Sequence, residues 1–434
     1  MTAPPIKRLT QALRAIGFRR STTAAGIYVS VGFGFLGTLF VARQLTPEQF
    51  GLFSIVLVTS GFLQVLLDLT AEEALVKYGF DYATAESWGK LRRLFGQALG
   101  IKIAGGVLAG IAIVLIAPFA DEIFGGSGLT VPFLIASALP LLQSPEGVAS
   151  AALILRGRYD VRAWLLAASM GLRMTGLAIG AHFGVTEAVV GLVVAQAAAM
   201  VILGAMAAVA FGRFPAAGAE RLGEERRGIL RFVLHSSLAT GVVSLRGALA
   251  PLLLGLVSEP VQVGFFRIAQ APQQGLASLS APARLIMLTE QTRDWARGAT
   301  EVVFAGVRRY MRAAALVMVV VVPPAFILMP WLVAVLYGDD YKGAADAARL
   351  VLLAAALQFV LGWSKSLPVS IGRPGLRVLA HGIESVVMIP LVVVLGREWG
   401  ATGAGGAVLA ASAAFCAVWL VLLARLRREA AHAT

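Results

Sequence analysis

Apolar runs long enough to cross a bilayer recur about twelve times along this chain, and no other feature constrains its fold as tightly. They fall near residues 22–42, 51–70, 97–119, 130–155, 162–183, 187–211, 231–256, 263–287, 310–336, 345–366, 376–396 and 401–424. A spanning helix needs about 20 mostly apolar residues. In hydrocarbon every backbone N–H and C=O must be bonded within the protein, which a helix achieves inside its own segment. The runs therefore predict an all-α polytopic membrane protein of about twelve transmembrane helices. Composition agrees, since hydrophobic residues make up 58% of the 434 positions and charged residues only 14%. Average soluble domains carry about 25% charge, and a chain this poor in charge cannot cover a water-facing surface.

The few charges are placed with a bias. Lys and Arg number 37 against 24 Asp and Glu, a net charge of +13. Such a balance can mark a nucleic-acid partner, but here the basic residues are scattered between spans rather than gathered on one face, so no nucleic acid is expected. They obey the positive-inside pattern instead. With the N-terminus in the cytoplasm, one side collects Lys77, Lys90, Arg92 and Arg93, the arginines between 213 and 231, Arg293 to Arg312, Arg373 and Arg377, and Arg425 to Arg428. The opposite loops hold Glu48, Asp121, Glu122, Glu259, Asp339 and Asp340. The asymmetry predicts an even number of spans and two cytoplasmic termini. Residues 1–20 form a basic, amphipathic cytoplasmic segment, and the long apolar run after it argues against a cleavable signal peptide.

The chain also repeats itself. Leu45-Thr-Pro-Glu-Gln-Phe-Gly51 follows the first span and Val257-Ser-Glu-Pro-Val-Gln-Val-Gly264 follows the seventh, with the glycines 213 residues apart. Pro118 and Pro330, after the third and ninth spans, are 212 apart, and Arg158 and Arg373, after the fourth and tenth, are 215 apart. Nearly one offset in three places predicts two six-helix lobes. Six is even, so the lobes share one topology and are related by a pseudo-two-fold axis along the membrane normal. The expected division is a cytoplasmic N-terminal segment 1–20, an N-lobe 21–211, a cytoplasmic linker 212–230, a C-lobe 231–424 and a tail 425–434.

Enzymatic readings find no support. Polar stretches run to about 25 residues, too short for a domain. There is no His-Glu-x-x-His metal motif, no phosphate-binding Gly-rich loop and no nucleophile elbow. The single cysteine, Cys416, rules out a disulfide framework within the chain. No cofactor or metal is expected.

Charges inside spans are functional candidates by default, because hydrocarbon penalises them unless they line a cavity or find a partner. Arg246 and Arg173 lie centrally in the seventh and fifth spans. Arg267 heads a row with Gln270, Gln274 and Ser278 on one face of the eighth. Arg284 and Lys102 lie nearer span ends, where a long side chain reaches the interface, and Glu72, Glu73 and Lys77 are expected at a solvated mouth. The deep acids are Asp68, Glu146 and Glu384, candidates for binding a proton or Na⁺ or for pairing with the arginines. Cations outnumber anions at depth, which suits phosphate or pyrophosphate, whose oxygens match the guanidinium fork.

The glycine-rich first span ending Phe40-Val-Ala-Arg-Gln-Leu-Thr-Pro-Glu-Gln-Phe-Gly-Leu-Phe53, the second ending at Asp68-Leu-Thr-Ala-Glu-Glu, and the Gly-Arg turns at 157–158 and 372–373 resemble the polysaccharide-exporter, Wzx-type branch of the multidrug/oligosaccharidyl-lipid/polysaccharide (MOP) flippase superfamily. Asp68-Leu69-Thr70 stands where that family usually has Asp-Leu-Gly. The resemblance implies a lipid-linked oligosaccharide flippase, moving a polyprenyl-pyrophosphate-linked glycan from the cytoplasmic to the outer leaflet of the cell inner membrane. It implies alternating access of the two lobes, and a polysaccharide polymerase and chain-length regulator as partners. A peptidoglycan-precursor flippase and an ion-coupled drug antiporter of the same superfamily are the alternatives. The first would favour cations in the first span, where residues 21–42 hold none, and the second an acid-dominated lumen. A membrane glycan polymerase ranks last, for want of an extramembrane catalytic loop.

Overall fold

The structure, a computed structural model, describes the backbone of residues 5–223, 225–373 and 375–433. It describes the side chains of 22–223, 225–238, 241, 247–278, 280, 287–373 and 375–430. Among these the chain is helical with no strands, as the hydrophobic runs predict.

Helices α1 (Pro5–Gln44) and α2 (Pro47–Leu67) are joined at Thr46. The Thr46 Oγ1 accepts from the Gln49 N–H at 3.3 Å and the Gln49 side chain accepts from the Thr46 N–H at 3.2 Å. This reciprocal cap, with Pro47 at the first helical position, is what Thr-Pro-Glu-Gln encodes. A short helix, α3 (Ala71–Thr84), precedes α4 (Trp88–Ile116) and the one-turn α5 (Ala120–Phe124). The fourth predicted span is broken into α6 (Thr130–Ala136), α7 (Ala138–Gln143) and α8 (Glu146–Leu155), with Pro132, Pro140 and Pro145 removing donors along it. Two long helices follow, α9 (Tyr159–Ala181) and α10 (Val185–Gly212).

In the second half, α11 (Glu225–Val257) is continuous. The eighth predicted span is again broken, into α12 (Pro260–Ala269), α13 (Ala271–Leu279) and α14 (Ala281–Ala296), with a proline in the first turn of each. Then come α15 (Thr300–Tyr337), α16 (Ala345–Val360), the short α17 (Leu367–Ser370) and α18 (Gly375–Ala433). The last holds two predicted spans, separated by a kink at Trp399 and Gly400, whose φ is +54°. Among the described residues, nine segments are long and apolar enough to cross a membrane. The kinked α18 holds two predicted spans in one of them, and the seventh and the divided eighth predicted spans are not among the nine. The turns after the fourth and tenth spans share a conformation: Gly157 has φ +66° and Gly372 φ +71°, a left-handed region that favours glycine. The repeat is therefore structural as well as textual.

The chain forms two compact units. Unit 1 comprises Met1–Leu45, Thr59–Ala120 and Gly128–Gly241, and unit 2 comprises Thr46–Val58, Asp121–Ser127 and Val242–Thr434. The core of unit 1 runs from Leu75, Leu91 and Leu94 through Leu153 to Phe214 and Val233. That of unit 2 centres on Trp363, Leu367, Phe415 and Trp419, with the two indoles edge to face at 5.4 Å. Large apolar side chains such as Leu115, Val194, Val201, Leu238 and Val319 are exposed, a surface suited to lipid rather than water.

A polar cavity in the first unit

Unit 1 contains a cavity of about 660 Å³ whose wall includes Gln64, Asp68, Glu72, Glu73, Lys77, Lys102, Gln143, Glu146 and Arg162. The chain leaves helical geometry between Leu67 and Ala71, which puts Asp68 and Glu72 on opposite sides of a break. The break is held by the Thr70 N–H, which donates to the Ser237 hydroxyl at 2.9 Å. Helix α4 comes close through glycine: a Cβ at Gly105 would lie 2.8 Å from the Leu67 carbonyl oxygen, and one at Gly106 would meet Ser144 Oγ and the Pro140 carbonyl. This small-residue stripe brings Lys102 into the break. Its ammonium lies 2.6 Å from Asp68 Oδ2 and 3.1 Å from Glu72 Oε2. Lys102 is buried, 5% exposed, so the expectation that it reaches an interface is overturned; Glu72, which it also pairs with, stays partly exposed. The ammonium stays at depth because two carboxylates satisfy it there.

The other carboxylates are also engaged. Glu146 Oε2 is 3.5 Å from Arg173 Nη2, and the same guanidinium donates to Ser169 Oγ at 3.1 Å. Glu73 accepts from the Ser236 hydroxyl. Two cations differ. Among the described residues, neither Lys77 nor Arg162 has a carboxylate within ion-pair distance. The Lys77 ammonium lies over the Phe232 ring at 4.4 Å, and the buried Nε of Arg162 has no hydrogen-bond acceptor. The wall itself carries four acids against three cations, so the expected excess of cation does not describe this cavity. What distinguishes it is that each of its acids has an ion-pair or hydrogen-bond partner inside the protein, Asp68 and Glu72 sharing one ammonium, while two of its cations have no carboxylate partner among the described residues.

The polar row of the eighth span is not one face of one helix. The break at Gln270 separates Arg267 from Gln274; Gln270 is buried and Gln274 exposed, and Arg267 Nη1 donates to Gln270 Oε1 at 3.4 Å. Gln273, unmarked by the sequence reading, is the residue that joins a buried polar group in unit 2. Its amide donates to Gln358 Oε1 at 3.3 Å, and Gln358 Nε2 donates to Glu384 Oε1 at 3.2 Å and to Ser412 Oγ at 2.9 Å. His381 Nδ1 lies 3.1 Å from Glu384 Oε2, and its ring stacks on Phe415 at 4.9 Å. The His381/Glu384 spacing of three on a helix was a readable signal. The side chains of Arg246 and Arg284 lie outside the described residues. Of the sequence candidates, Asp68, Glu146 and Arg173 come together at the unit 1 cavity, while Arg267, Gln270 and Glu384 belong to unit 2.

With this geometry in hand, comparison with known families is decisive. Residues 21–284 match the profile of the family described as polysaccharide biosynthesis protein. The chain belongs to that family. No curated protein matches the sequence. Among solved structures, it is similar to an inward-facing MATE-family multidrug transporter of the MOP superfamily at 16% identity and TM-score 0.68, over 91% of this chain and 95% of the other. It is equally similar to the lipid II flippase MurJ in an inward closed conformation, at 11% identity and TM-score 0.68, over 92% and 86%. A MOP transporter from Pyrococcus furiosus, characterised by a binding pocket of reversed polarity, aligns at 13% identity and TM-score 0.56 over 94% of both chains. These likenesses show the fold: this member of the polysaccharide biosynthesis protein family is a multi-pass membrane protein with the helical architecture of the MATE transporter and MurJ structures.

Proposed function

We propose that this protein is a flippase that carries a polyprenyl-pyrophosphate-linked oligosaccharide from the cytoplasmic to the outer leaflet of the cell inner membrane. The reading rests on one observation above all: Arg162 and Lys77 face a polar cavity in which every acid is already engaged. An anion entering there meets unpaired cations without displacing an internal ion pair. Guanidinium offers a two-pronged match to phosphate oxygens, and lysine a point charge. The family's role in polysaccharide biosynthesis supports the glycan, and the MATE/MurJ fold supports alternating access. In this reading both termini are cytoplasmic, Arg173, Arg246 and Arg267 remain candidates for further contacts, and the partners are a polymerase and a chain-length regulator. Coupling to a proton or Na⁺ through Asp68, Glu146 or Glu384 is part of the same proposal.

The test is an Arg162→Ala/Lys77→Ala variant expressed at wild-type level in cells lacking the native gene. Surface polysaccharide should fall, and lipid-linked glycan should accumulate on the cytoplasmic leaflet. Arg162→Lys should restore only part of the flux, because it keeps the charge and loses the fork. Undiminished surface polysaccharide in the double variant would remove this site from the mechanism, and undiminished polysaccharide on deleting the gene would remove the function.

A further inference from the structure

Unit 1 also contains a cavity larger than the polar one. A groove of about 1080 Å³ runs between α1 and α9, walled by Phe33, Leu36 and Phe40 from the first helix, Leu172 and Ile179 from the second, and Phe183 from the turn after it. No Asp, Glu, Lys or Arg lines it; Gln44 and His182 lie toward one end, and the Thr175 hydroxyl is taken up by the Gly171 carbonyl at 2.9 Å. The helices close around its opposite end, where a Cβ on Gly26 would meet the Ala163 backbone at 2.9 Å. Farther along, the Met170 and Met174 side chains lie over Gly34 and Gly37. Methionine is unbranched and adaptable, suited to a floor that must accept an irregular hydrocarbon. From residue 33 to residue 44 the groove extends about 17 Å at 1.5 Å per residue.

Helix α9 relates this groove to the polar cavity. At 3.6 residues per turn, Arg162, Leu166, Ser169 and Arg173 share one face, and Ala168, Leu172, Thr175 and Ile179 share another, about 120° around the helix from it. Arg162 and Leu166 line the polar cavity, Arg173 holds its acid Glu146, and Ala168, Leu172, Thr175 and Ile179 line the groove. One helix thus presents cations on one face and an uncharged groove on another, less than one helix diameter, roughly 10 Å, away. That charge pattern complements a single amphiphile with an anionic head and a long hydrocarbon tail.

We propose that the groove between α1 and α9 seats the polyprenyl tail of the carrier lipid while its pyrophosphate lies in the polar cavity. This rests on the proposed function and adds the tail's location to it. The tail reaches around α9, remains in contact with protein during transfer, and contributes affinity through apolar burial along Phe33, Phe40 and Ile179.

The test compares two probes with the same head, undecaprenyl pyrophosphate and farnesyl pyrophosphate, binding to the full chain in phospholipid nanodiscs. The long chain should bind at least about tenfold more tightly, the effect of roughly two further buried methylenes. Thr175→Trp, which fills the groove from its open side, should bring the long-chain affinity down to that of farnesyl pyrophosphate and leave the short probe unaffected. A diazirine-bearing polyprenyl pyrophosphate should label residues 33–40 and 172–183, and unlabelled undecaprenyl pyrophosphate, but not phosphatidylglycerol, should suppress that labelling. Equal affinity for the two probes, a long-chain preference that survives Thr175→Trp, or suppression by phosphatidylglycerol to the same degree would overturn the tail site while leaving the anion site standing. Failure of both probes to bind would overturn the anion site with it.

Discussion

Gly51 and Gly264, which occupy equivalent positions in the two repeats, pack against each other's helix starts inside unit 2. A Cβ built on Gly51 would lie 1.8 Å from the Pro260 carbonyl oxygen, and one on Gly264 would lie 2.6 Å from that of Pro47. Each glycine admits the opposite repeat's Pro-initiated first turn, so the two motifs are both sequence copies and packing partners. Gly51→Ala and Gly264→Ala should each destabilise the protein by about 1–3 kcal/mol, because the obstacle is backbone and cannot rotate away. Gly61→Ala, where a Cβ meets nothing within 4 Å, should be neutral or stabilise by up to about 1 kcal/mol. Thermal unfolding in detergent distinguishes them; three indistinguishable midpoints would mean that the close approach is absent.

How the repeat was legible, and what was not, follows from this contact. Fold class could be read because lipid imposes a length and polarity code on every span. The repeat could be read because a close approach needs glycine and a sharp helix start needs proline at fixed offsets. The periodicity that marked Arg267, Gln270 and Gln274 did not mark Gln273, which follows the turn at Gln270 and bonds to Gln358 in the interior of unit 2. Lys102 was misread because its distance from a span end says nothing of the acids that a break in another helix brings to it. The division into units follows tertiary contact, so the first half of α2, through Val58, groups with the second half of the chain, which no local pattern in α2 announces.

The Lys102 cluster should be strongly asymmetric toward mutation. Lys102→Met leaves Asp68 and Glu72 without their shared cation, and breaking a buried pair by removing one partner costs about 3–5 kcal/mol. Asp68→Asn alone should cost less, since Glu72 stays within 3.1 Å of the ammonium. Adding Asp68→Leu to Lys102→Met should recover part of the loss, because the double variant buries one charge fewer. A double-mutant cycle on unfolding midpoints reads the coupling; strictly additive effects would contradict the pairing.

At the start of α11, Glu225 is held below the usual carboxylate range, first by the hydrogen bond that the Tyr82 hydroxyl donates to it and then by Lys90, 3.1 Å away. A depressed acid contributes stability above its ordinary value of 4.5, and that contribution is lost as pH falls below it. Tyr82 is shifted the other way: burial, then the Glu225 bond, pushes its hydroxyl above the ordinary 10.0. A raised group stabilises below its ordinary value and loses that effect as pH climbs past it. Tyr82→Phe should therefore flatten the fall in unfolding midpoint on both limbs, below about pH 4.5 and above about pH 10. Lys90→Met should flatten mainly the acid limb. Curves parallel to wild type on both limbs would show that these shifts carry no stability.

Glu384 separates structure from transport. It accepts from Gln358, lies against His381, and is 2% exposed. Glu384→Ala would remove an acceptor from two buried polar groups, each costing about 1–3 kcal/mol when left unsatisfied, and should lower the folded yield. Glu384→Gln keeps the volume and one acceptor. It should fold with a midpoint close to wild type, since the amide oxygen can still take the Gln358 bond and the histidine tautomer can adjust to the new donor. What it removes is the carboxyl group. If Glu384 binds the coupling proton, the glutamine variant should hold a flux in proteoliposomes that no longer responds to an imposed pH gradient, while Ser412→Ala, which trims the same cluster without removing a charge, retains the response. A gradient response preserved in Glu384→Gln would assign the carboxylate to packing alone and move the search for coupling to Asp68 and Glu146, the acids that face the polar cavity of unit 1.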